Sequence, residues 1–349
     1  MSGTWQRIGV LIDGSSRHRE ASRQSGEAIA AALTEGGHEA RPVFVDRDLD
    51  LALRQGRYDV AFLALRGQQG SDGSVQGLLE LLGIPYTGAG LLASALAMNQ
   101  AKTHELLRLA NLPTAPGYII RADSTRSVLD QHGGFGFPVA VGPADVGLSR
   151  STGVAHDEVE LEAAVEESFR FGDEALVERF HDGRVVAVAV LDGEALGAAD
   201  LGPRVAEGSG GNADNDAGEK RPTQPRLHRG RQPALLRMAE QCCAALQVEG
   251  PALVELVVSE RHNEVVRGVD VAPLLAPKSL YMRIAATAGI SFPDLVEIVL
   301  QGARLRNRVR MFDGDALVRR TGVPSDAAGR NAALAPGSGP AGGTCALPH

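Results

Sequence analysis

The chain has few cysteines and few aromatic residues. Its 349 residues include three cysteines, and aromatic residues make up 4% of the sequence. Cys242 and Cys243 are adjacent in an apolar stretch, where we expect them to pack as small hydrophobic side chains. The Cys-x-x-Cys pairs of a zinc site are missing, and so few cysteines exclude a disulfide scaffold. This cysteine usage agrees with a reducing cytoplasm.

The chain also lacks long apolar runs and an excess of basic residues. No run approaches the roughly 18 apolar residues that a transmembrane helix needs, and the first residues do not resemble a signal peptide. The net charge is −8, from 35 basic and 43 acidic residues, which argues against a general nucleic-acid-binding protein. We therefore expect a cytoplasmic protein with neither a membrane nor a nucleic acid as partner.

What the chain does contain is enough apolar sequence, 44% of its residues, for two or three compact units. In the first third, short apolar strands alternate with helices, and the strands are predicted at residues 8–12, 40–45, 59–65 and 84–86. The pattern of residues 91–110 is helical. This alternation predicts a mostly parallel sheet covered by helices on both faces. Ligands bind at the carboxyl ends of such strands, which directs attention to the loops at residues 13–19 and 66–73.

After residue 113 the pattern changes to strands separated by short glycine-containing turns. It predicts antiparallel sheets packed on helices, with strands at residues 118–120, 138–141, 175–180, 184–191, 252–258 and 264–271. Residues 202–233 are polar and rich in glycine, so we expect a mobile loop there. The segment after residue 323 is mostly Ala, Gly, Pro and Ser, which is typical of a disordered tail.

One segment is specific enough to indicate a family. Residues 73–88 read GSVQGLLELLGIPYTG, and residues 93–98 read ASALAM. The motifs GFPV at 136–139 and AGISF at 288–292 follow in the same order as in D-alanine–D-alanine ligases. From about residue 8 to about residue 306, the chain resembles this family.

The resemblance implies the ATP-grasp fold, an α/β (α+β) fold with an N-terminal parallel domain and a two-part ATP-grasp domain with antiparallel sheets. The implied boundaries are residues 1–98 for the N-terminal domain, 99–182 and 183–310 for the two ATP-grasp subdomains, and 311–349 for a tail. It also implies a place in peptidoglycan precursor synthesis and hence in cell shape, ATP and Mg²⁺ as cofactors, D-alanine as substrate, and a homodimer.

The family's chemistry requires several charges. One D-alanine carboxylate attacks the γ-phosphate of ATP, and the amine of a second D-alanine attacks the resulting acyl phosphate, so the site must hold phosphates and Mg²⁺ and stabilise an oxyanion. At the two positions where the family has phosphate-binding lysines, this chain has Gln100 and Gly142. Val185 stands where the family has the acid that binds the ribose.

Other ATP-binding positions match better. The resemblance places the adenine at Glu178, Arg179 and Phe180, of which Glu178 is the family's residue and the other two are similar in kind. In the phosphate-binding loop, Gly147 and Ser149 are in register with the family, and their neighbours are not.

The metal site implied by the resemblance is incomplete. Glu255 and Asp270 occupy two of the three ligand positions, and Gly268 replaces the glutamate that would bridge two metal ions. Leu253 replaces an arginine that would stabilise the transition state. Leu274 replaces a glycine whose amide is a candidate oxyanion donor, and we expect a changed backbone there.

The substrate positions are also altered. His18 replaces the glutamate that orients the first D-alanine, Arg66 replaces a histidine, and Ser71 replaces an acid. Ser279 matches the serine that binds the second D-alanine. The surviving polar residues are also compatible with simple hydrogen bonding in loops.

The losses are selective, because residues that build the fold are kept while charges that handle ATP are replaced. The leading hypothesis is an inactive or strongly impaired ligase homologue with a binding or regulatory role, forming a homodimer or a heterodimer with an active ligase. The alternatives are an active D-alanine–D-alanine ligase with a rearranged site, in which Lys220 could replace a family lysine, and an ATP-grasp ligase with another substrate.

Overall fold

A computed structural model describes residues 5–14, 19–65, 71–149, 153–204, 231–259 and 264–306. These residues all lie in one compact unit that ends at Arg306. The predicted tail and most of the predicted loop at residues 202–233 lie outside the described residues. Three sheets organise the rest, one parallel and two antiparallel.

The alternating pattern of the first third forms the parallel sheet. Its strands are β1 (Arg7–Asp13), β2 (Glu39–Val45) and β3 (Val60–Ala64), in the order β2-β1-β3. The central strand β1 is apolar and buried on both faces, as expected of a parallel strand covered by helices. The covering helices are α1 (Arg19–Glu35), α2 (Leu49–Gly56) and α3 (Ser74–Leu82). The next helix, α4 (Leu91–Met98), packs through Ala93 and Ala97 in the apolar cluster of the third sheet. The short strand expected at residues 84–86 is reduced to isolated bridges of Tyr86, one to Ala61 and one to Arg304.

The apolar stretch at residues 91–110, read from sequence as helical throughout, forms two helices. The first is α4, and the second is α5 (Gln100–Leu109). Asn99 between them has an extended backbone, and its side chain accepts a hydrogen bond from the backbone N–H of Lys102. The chain therefore turns at Asn99, because this side chain caps a new helix there. The turn brings Gln100 to the start of α5.

The second sheet is antiparallel, with strand order β4-β7-β5-β6. Its strands are β4 (Gly117–Arg121), β5 (Val139–Pro143), β6 (Gly153–Ala155) and β7 (Glu174–Arg179). Helices α6 (Val128–His132) and α7 (Glu158–Ser168) belong to the same region, and α7 packs on the sheet through Leu161 and Val165. The antiparallel arrangement expected from the glycine-containing turns is found, whereas β6 and α6 were not predicted.

The third sheet is antiparallel with strand order β11-β10-β8-β9. It consists of β8 (Arg184–Leu191), β9 (Glu194–Pro203), β10 (Pro251–Val258) and β11 (Glu264–Asp270). Glu255 pairs with Gly268 and Leu256 with Val266, so Arg267 is the extra residue of a β-bulge. Such a bulge re-aims a side chain, and this one lies at the edge of the candidate site.

Helices on both faces of the third sheet complete the core. The helices are α8 (Gln232–Ala245), α9 (Leu280–Thr287) and α10 (Phe292–Gln301). One apolar cluster joins β1 and α1 to β8, α9 and α10, so the parallel sheet and the third sheet share a core. Within the described ranges no single helix is long and apolar enough to cross a membrane, although α9 and α10, bent by 97°, meet the length and composition requirement as a pair.

Candidate functional site

A small polar cavity lies between the second and third sheets, beside the first residue of α5. Its walls include Gln100, Gly142, Leu148, Glu178, Arg204 and Arg267. The volume is about 40 Å³, whereas sites for cofactors and comparable ligands occupy roughly 300–1,000 Å³. Since a water molecule needs roughly 10–15 Å³ by the same measure, the cavity has room for a few waters or a small ion.

The two positions where the resemblance implies lysines both contribute to this cavity. Gln100 begins α5, and its backbone N–H donates to the carbonyl of Ala144 at 2.8 Å. Gly142 lies in β5 opposite Leu176 of β7. The two positions are far apart in the sequence, and the structure brings them to one cavity. Neither carries a charge.

Glu178, at the adenine position, is neutralised by a residue of α5. Its Oε1 lies 2.6 Å from Nδ1 of His104, whose side chain is 2% exposed. The other ring nitrogen of His104 donates to the carbonyl of Arg267 at 3.0 Å. Burial lowers the pKa of His104, but the hydrogen bond and charge of Glu178 and the Arg267 carbonyl outweigh it and raise the pKa. Because both partners are acceptors, only the doubly protonated ring satisfies both.

The other two adenine positions also have protein partners. The backbone N–H of Arg179 donates to the carbonyl of Pro116 at 2.8 Å, and that of Phe180 donates to Pro138 at 3.1 Å. The guanidinium of Arg204 lies over the Phe180 ring, 4.7 Å from its centroid. These two amides and this ring face are therefore engaged within the protein.

The first metal-ligand position is neutralised by an arginine. Glu255 is 3% exposed, and its Oε2 lies 2.5 Å from Nη1 of Arg267. The bulge in β11 places the Arg267 side chain within reach of this carboxylate. A buried carboxylate is stabilised by a partner of opposite charge, and here that partner is a guanidinium.

The other two metal-ligand positions do not complete a site. A Cβ atom at Gly268 would lie 2.7 Å from Cδ2 of Leu148, so a leucine fills the space that a glutamate would need. Asp270 uses Oδ1 to accept the backbone N–H of Ala272 at 2.9 Å. In the part of the chain that the structure describes, no group of three His, Cys, Asp or Glu side chains could hold a metal ion. These residues do not fit Mg²⁺.

Two further replaced positions are part of the apolar core. Leu253, at the arginine position, is 4% exposed and belongs to the cluster shared by the parallel and third sheets. Val185, at the ribose-binding position, is 8% exposed in β8. Apolar packing has replaced charge at both positions.

Comparison with known proteins identifies the family. Residues 106–301 match the family described as D-ala D-ala ligase C-terminus, and residues 50–89 match D-ala D-ala ligase N-terminus. The chain is 40% identical over 307 residues to a D-alanine--D-alanine ligase of Geobacter sulfurreducens, covering 86% of this chain and 95% of that one. It is 37% identical over 301 residues to that of Citrifermentans bemidjiense, covering 86% and 97%.

The chain belongs to the D-alanine–D-alanine ligase family. The crystal structure of a D-alanine--D-alanine ligase from Bacillus anthracis complexed with ATP matches with a TM-score of 0.73 and 26% identity, covering 85% of this chain and 97% of that chain. The predicted family and the ATP-grasp fold are therefore confirmed.

Some residues that match the ligase family at the phosphate and D-alanine positions have structural roles in this chain. Ser279 caps α9, its hydroxyl accepting the backbone N–H of Met282 at 3.2 Å. Gly147 has φ +64°, a conformation that favours glycine, and its surroundings include the Met98 sulfur. The backbone of Ser149 closes the same 3-10 turn, Gly147–Ser149. Leu274 is half-buried and lies between β11 and α9.

Some predicted substrate and phosphate residues cannot be placed. His18, Arg66 and Lys220 lie outside the described residues. Ser71 is buried at 8% exposure.

Sequence reasoning missed three charged residues of the site, His104, Arg204 and Arg267. None of them occupies a position that the resemblance assigns, and each is far in sequence from the partners that it contacts. One feature of the sequence could have pointed to Arg267, since this arginine directly precedes Gly268, where the family's carboxylate has been lost.

Proposed function

We propose that this ligase-family chain no longer uses Mg·ATP, and that it acts in peptidoglycan precursor synthesis by binding rather than by joining D-alanine. The observation that carries the proposal is the ion pair between Arg267 and Glu255, with Leu148 packed over Gly268. The chemistry of the family needs a divalent cation where this chain has a guanidinium and a leucine.

Recruiting Mg²⁺ would require the Arg267–Glu255 pair to break. Separating a buried ion pair costs roughly 3–5 kcal/mol when one charge is left without a partner. The Mg²⁺ ion would find Glu255 and one Asp270 oxygen in return, whereas Mg²⁺ requires near-octahedral oxygen coordination.

The test is an assay of the full chain with Mg·ATP and D-alanine, in which phosphate release and D-alanyl-D-alanine are both measured. The D-alanine--D-alanine ligase of Geobacter sulfurreducens serves as the positive control. We expect neither product above background. Phosphate release that depends on D-alanine would contradict the proposal and favour an active ligase with a rearranged site.

A member without turnover acts through what it binds, and we propose a second copy of the chain or an active ligase as its partner. The support for this is the intact fold, which retains the family's core while the site is altered. Light scattering of the chain alone and mixed with an active ligase measures both associations. A chain that is monomeric alone and does not associate with the active ligase in the mixture would contradict a dimeric role.

A further inference from the structure

The cavity between the second and third sheets is lined by two guanidinium groups that the family's chemistry does not assign. Arg204 follows the end of β9, and Arg267 is the bulge residue of β11. They reach the cavity from the same sheet, and the Gln100 side chain reaches it from α5. The cavity thus has hydrogen-bond donors on two sides.

Arg204 is largely buried, and its positive charge is only weakly compensated by the groups that it contacts. Its Nη1 donates to the carbonyl of His181 at a long 3.4 Å, and its plane covers the Phe180 ring. Among the described residues, no carboxylate lies within ion-pair distance of Arg204. Burial, and then the charge of Arg267, lower the pKa of Arg204 to about 10, so the group stays charged at neutral pH.

Among the described residues around the cavity, the charges leave one cation in excess. Glu178 is paired with His104, and Glu255 is paired with Arg267. Arg204 is the remaining charge, and Arg267 uses Nη1 for its pair while its other nitrogens remain as donors. A buried cation beside a polar cavity is stabilised by an anion that accepts its hydrogen bonds.

We propose that this cavity binds a small oxyanion, of the phosphate or carboxylate class, through Arg204, Arg267 and Gln100 and without a divalent cation. The volume of a few waters suits such an ion. Guanidinium groups bind carboxylate and phosphate oxygens in a fork geometry, so they supply the charge that a metal would otherwise provide. This inference deepens the proposed function and rests on it for the loss of Mg²⁺.

The experiment is thermal unfolding of the full chain in EDTA with increasing sodium phosphate, compared with sodium chloride at matched ionic strength. We expect a saturable rise of a few degrees in the unfolding midpoint with phosphate and none with chloride. Magnesium chloride alone should leave the midpoint unchanged, and Mg²⁺ added with phosphate should not tighten binding. A parallel titration with sodium acetate assigns the carboxylate class if acetate, and not phosphate, gives the rise.

Variants locate the binding. Arg204→Met and Arg267→Met should each weaken phosphate binding roughly ten- to hundredfold, because each removes charge-assisted hydrogen bonds. If Arg267→Met alone does not fold, the double variant Glu255→Gln/Arg267→Met removes both charges of the pair and should fold. Arg170→Met, at an exposed arginine paired with Glu167, is the matched control and should bind as the parent does.

Three results would overturn the inference: no oxyanion effect, an effect that needs Mg²⁺, or an effect that survives in Arg204→Met. These results are separable from failure of the proposed function. A chain without turnover that also shows no oxyanion effect contradicts this inference alone. A chain with ligase turnover and metal-free oxyanion binding contradicts the proposed function alone.

Discussion

Cδ2 of Leu148 lies 2.7 Å from the point where a side chain at Gly268 would begin. Leu148 belongs to the 3-10 turn Gly147–Ser149, and Gly268 lies in β11 opposite Glu255. The loss of a metal ligand and the gain of a leucine are therefore parts of one packing arrangement.

This arrangement predicts a coupled pair of substitutions. Gly268→Ala alone should lower the free energy of unfolding by about 1 kcal/mol, because the added methyl displaces Leu148 and crowds Gln100. In a Leu148→Ala background the same change should cost less, which denaturant unfolding of the double-mutant cycle would measure. Gly134→Ala, with nothing within 4 Å of the added atom, is the control. Equal costs in both backgrounds would show that Leu148 does not fill this space.

A metal site should be recoverable by removing what occupies it. In the triple variant Leu148→Ala/Arg267→Met/Gly268→Glu, two carboxylates face each other across paired strands, as Glu255 and the new side chain occupy opposed positions. We expect this variant to bind Mn²⁺, detected by electron paramagnetic resonance, while the parent does not. The variant Leu148→Ala/Arg267→Met, without the new glutamate, should bind more weakly. A folded triple variant that leaves all Mn²⁺ free would argue that the backbone, not its side chains, prevents metal binding.

The ion pair of His104 and Glu178 predicts a pH-dependent stability. The folded protein raises the pKa of His104, so the stabilisation is fully present below the ordinary histidine pKa of about 6.5 and is lost as pH rises through the raised value. His104→Gln should therefore destabilise the chain more at pH 6 than at pH 9, as measured by urea unfolding. His156→Gln, at an exposed site, should show no such difference. A larger loss at pH 9 would contradict the charged pair.

Two glycines fix the contact between the parallel sheet and the start of β10. Gly250 has φ +73°, and a Cβ atom there would lie 2.7 Å from Cα of Gly88. Gly250→Ala should lower the free energy of unfolding by roughly 2–4 kcal/mol, from the left-handed backbone and the backbone contact together. Gly83→Ala, also at positive φ but with open space around it, isolates the backbone part. Similar losses at both positions would mean that the contact with Gly88 adds nothing.

The free energy of unfolding should fall when the buried Arg306 loses its charged partner. Arg306 is 11% exposed on its side chain, pairs with Glu249 and lies over the Tyr86 ring. Glu249→Gln removes the compensating charge and should cost about 1–3 kcal/mol in thermal or denaturant unfolding. Glu39→Gln, at an exposed pair with Arg7, should cost under about 1 kcal/mol. Equal losses of stability in Glu249→Gln and Glu39→Gln would indicate that Arg306 is as well solvated as the exposed Arg7.

The sequence by itself determined the family and most of the secondary structure. The segment at residues 73–88 is dense in apolar and glycine positions with fixed local roles, such as Gly83, whose positive φ ends α3. The alternation of strands and helices was enough to predict a parallel sheet, because the apolar periodicity of a strand or a helix is visible within a few consecutive residues. The replaced charges at Gln100, Gly142 and Gly268 could also be read directly, since a missing side chain needs no geometry to be noticed.

Only the tertiary structure decided what replaced those charges. His104 and Glu178 are 74 residues apart, and Arg204, which follows β9, is 63 residues from Arg267 in β11, so no local pattern links them. The break at Asn99 has a local sign, because asparagine is a favoured N-cap, but only the fold shows that the turn brings Gln100 beside Gly142. Sequence comparison shows a site that has lost charge. Because a buried carboxylate is unstable without a cation, Glu255 is paired with Arg267 and Glu178 with His104, and both pairs join elements that only the fold brings together.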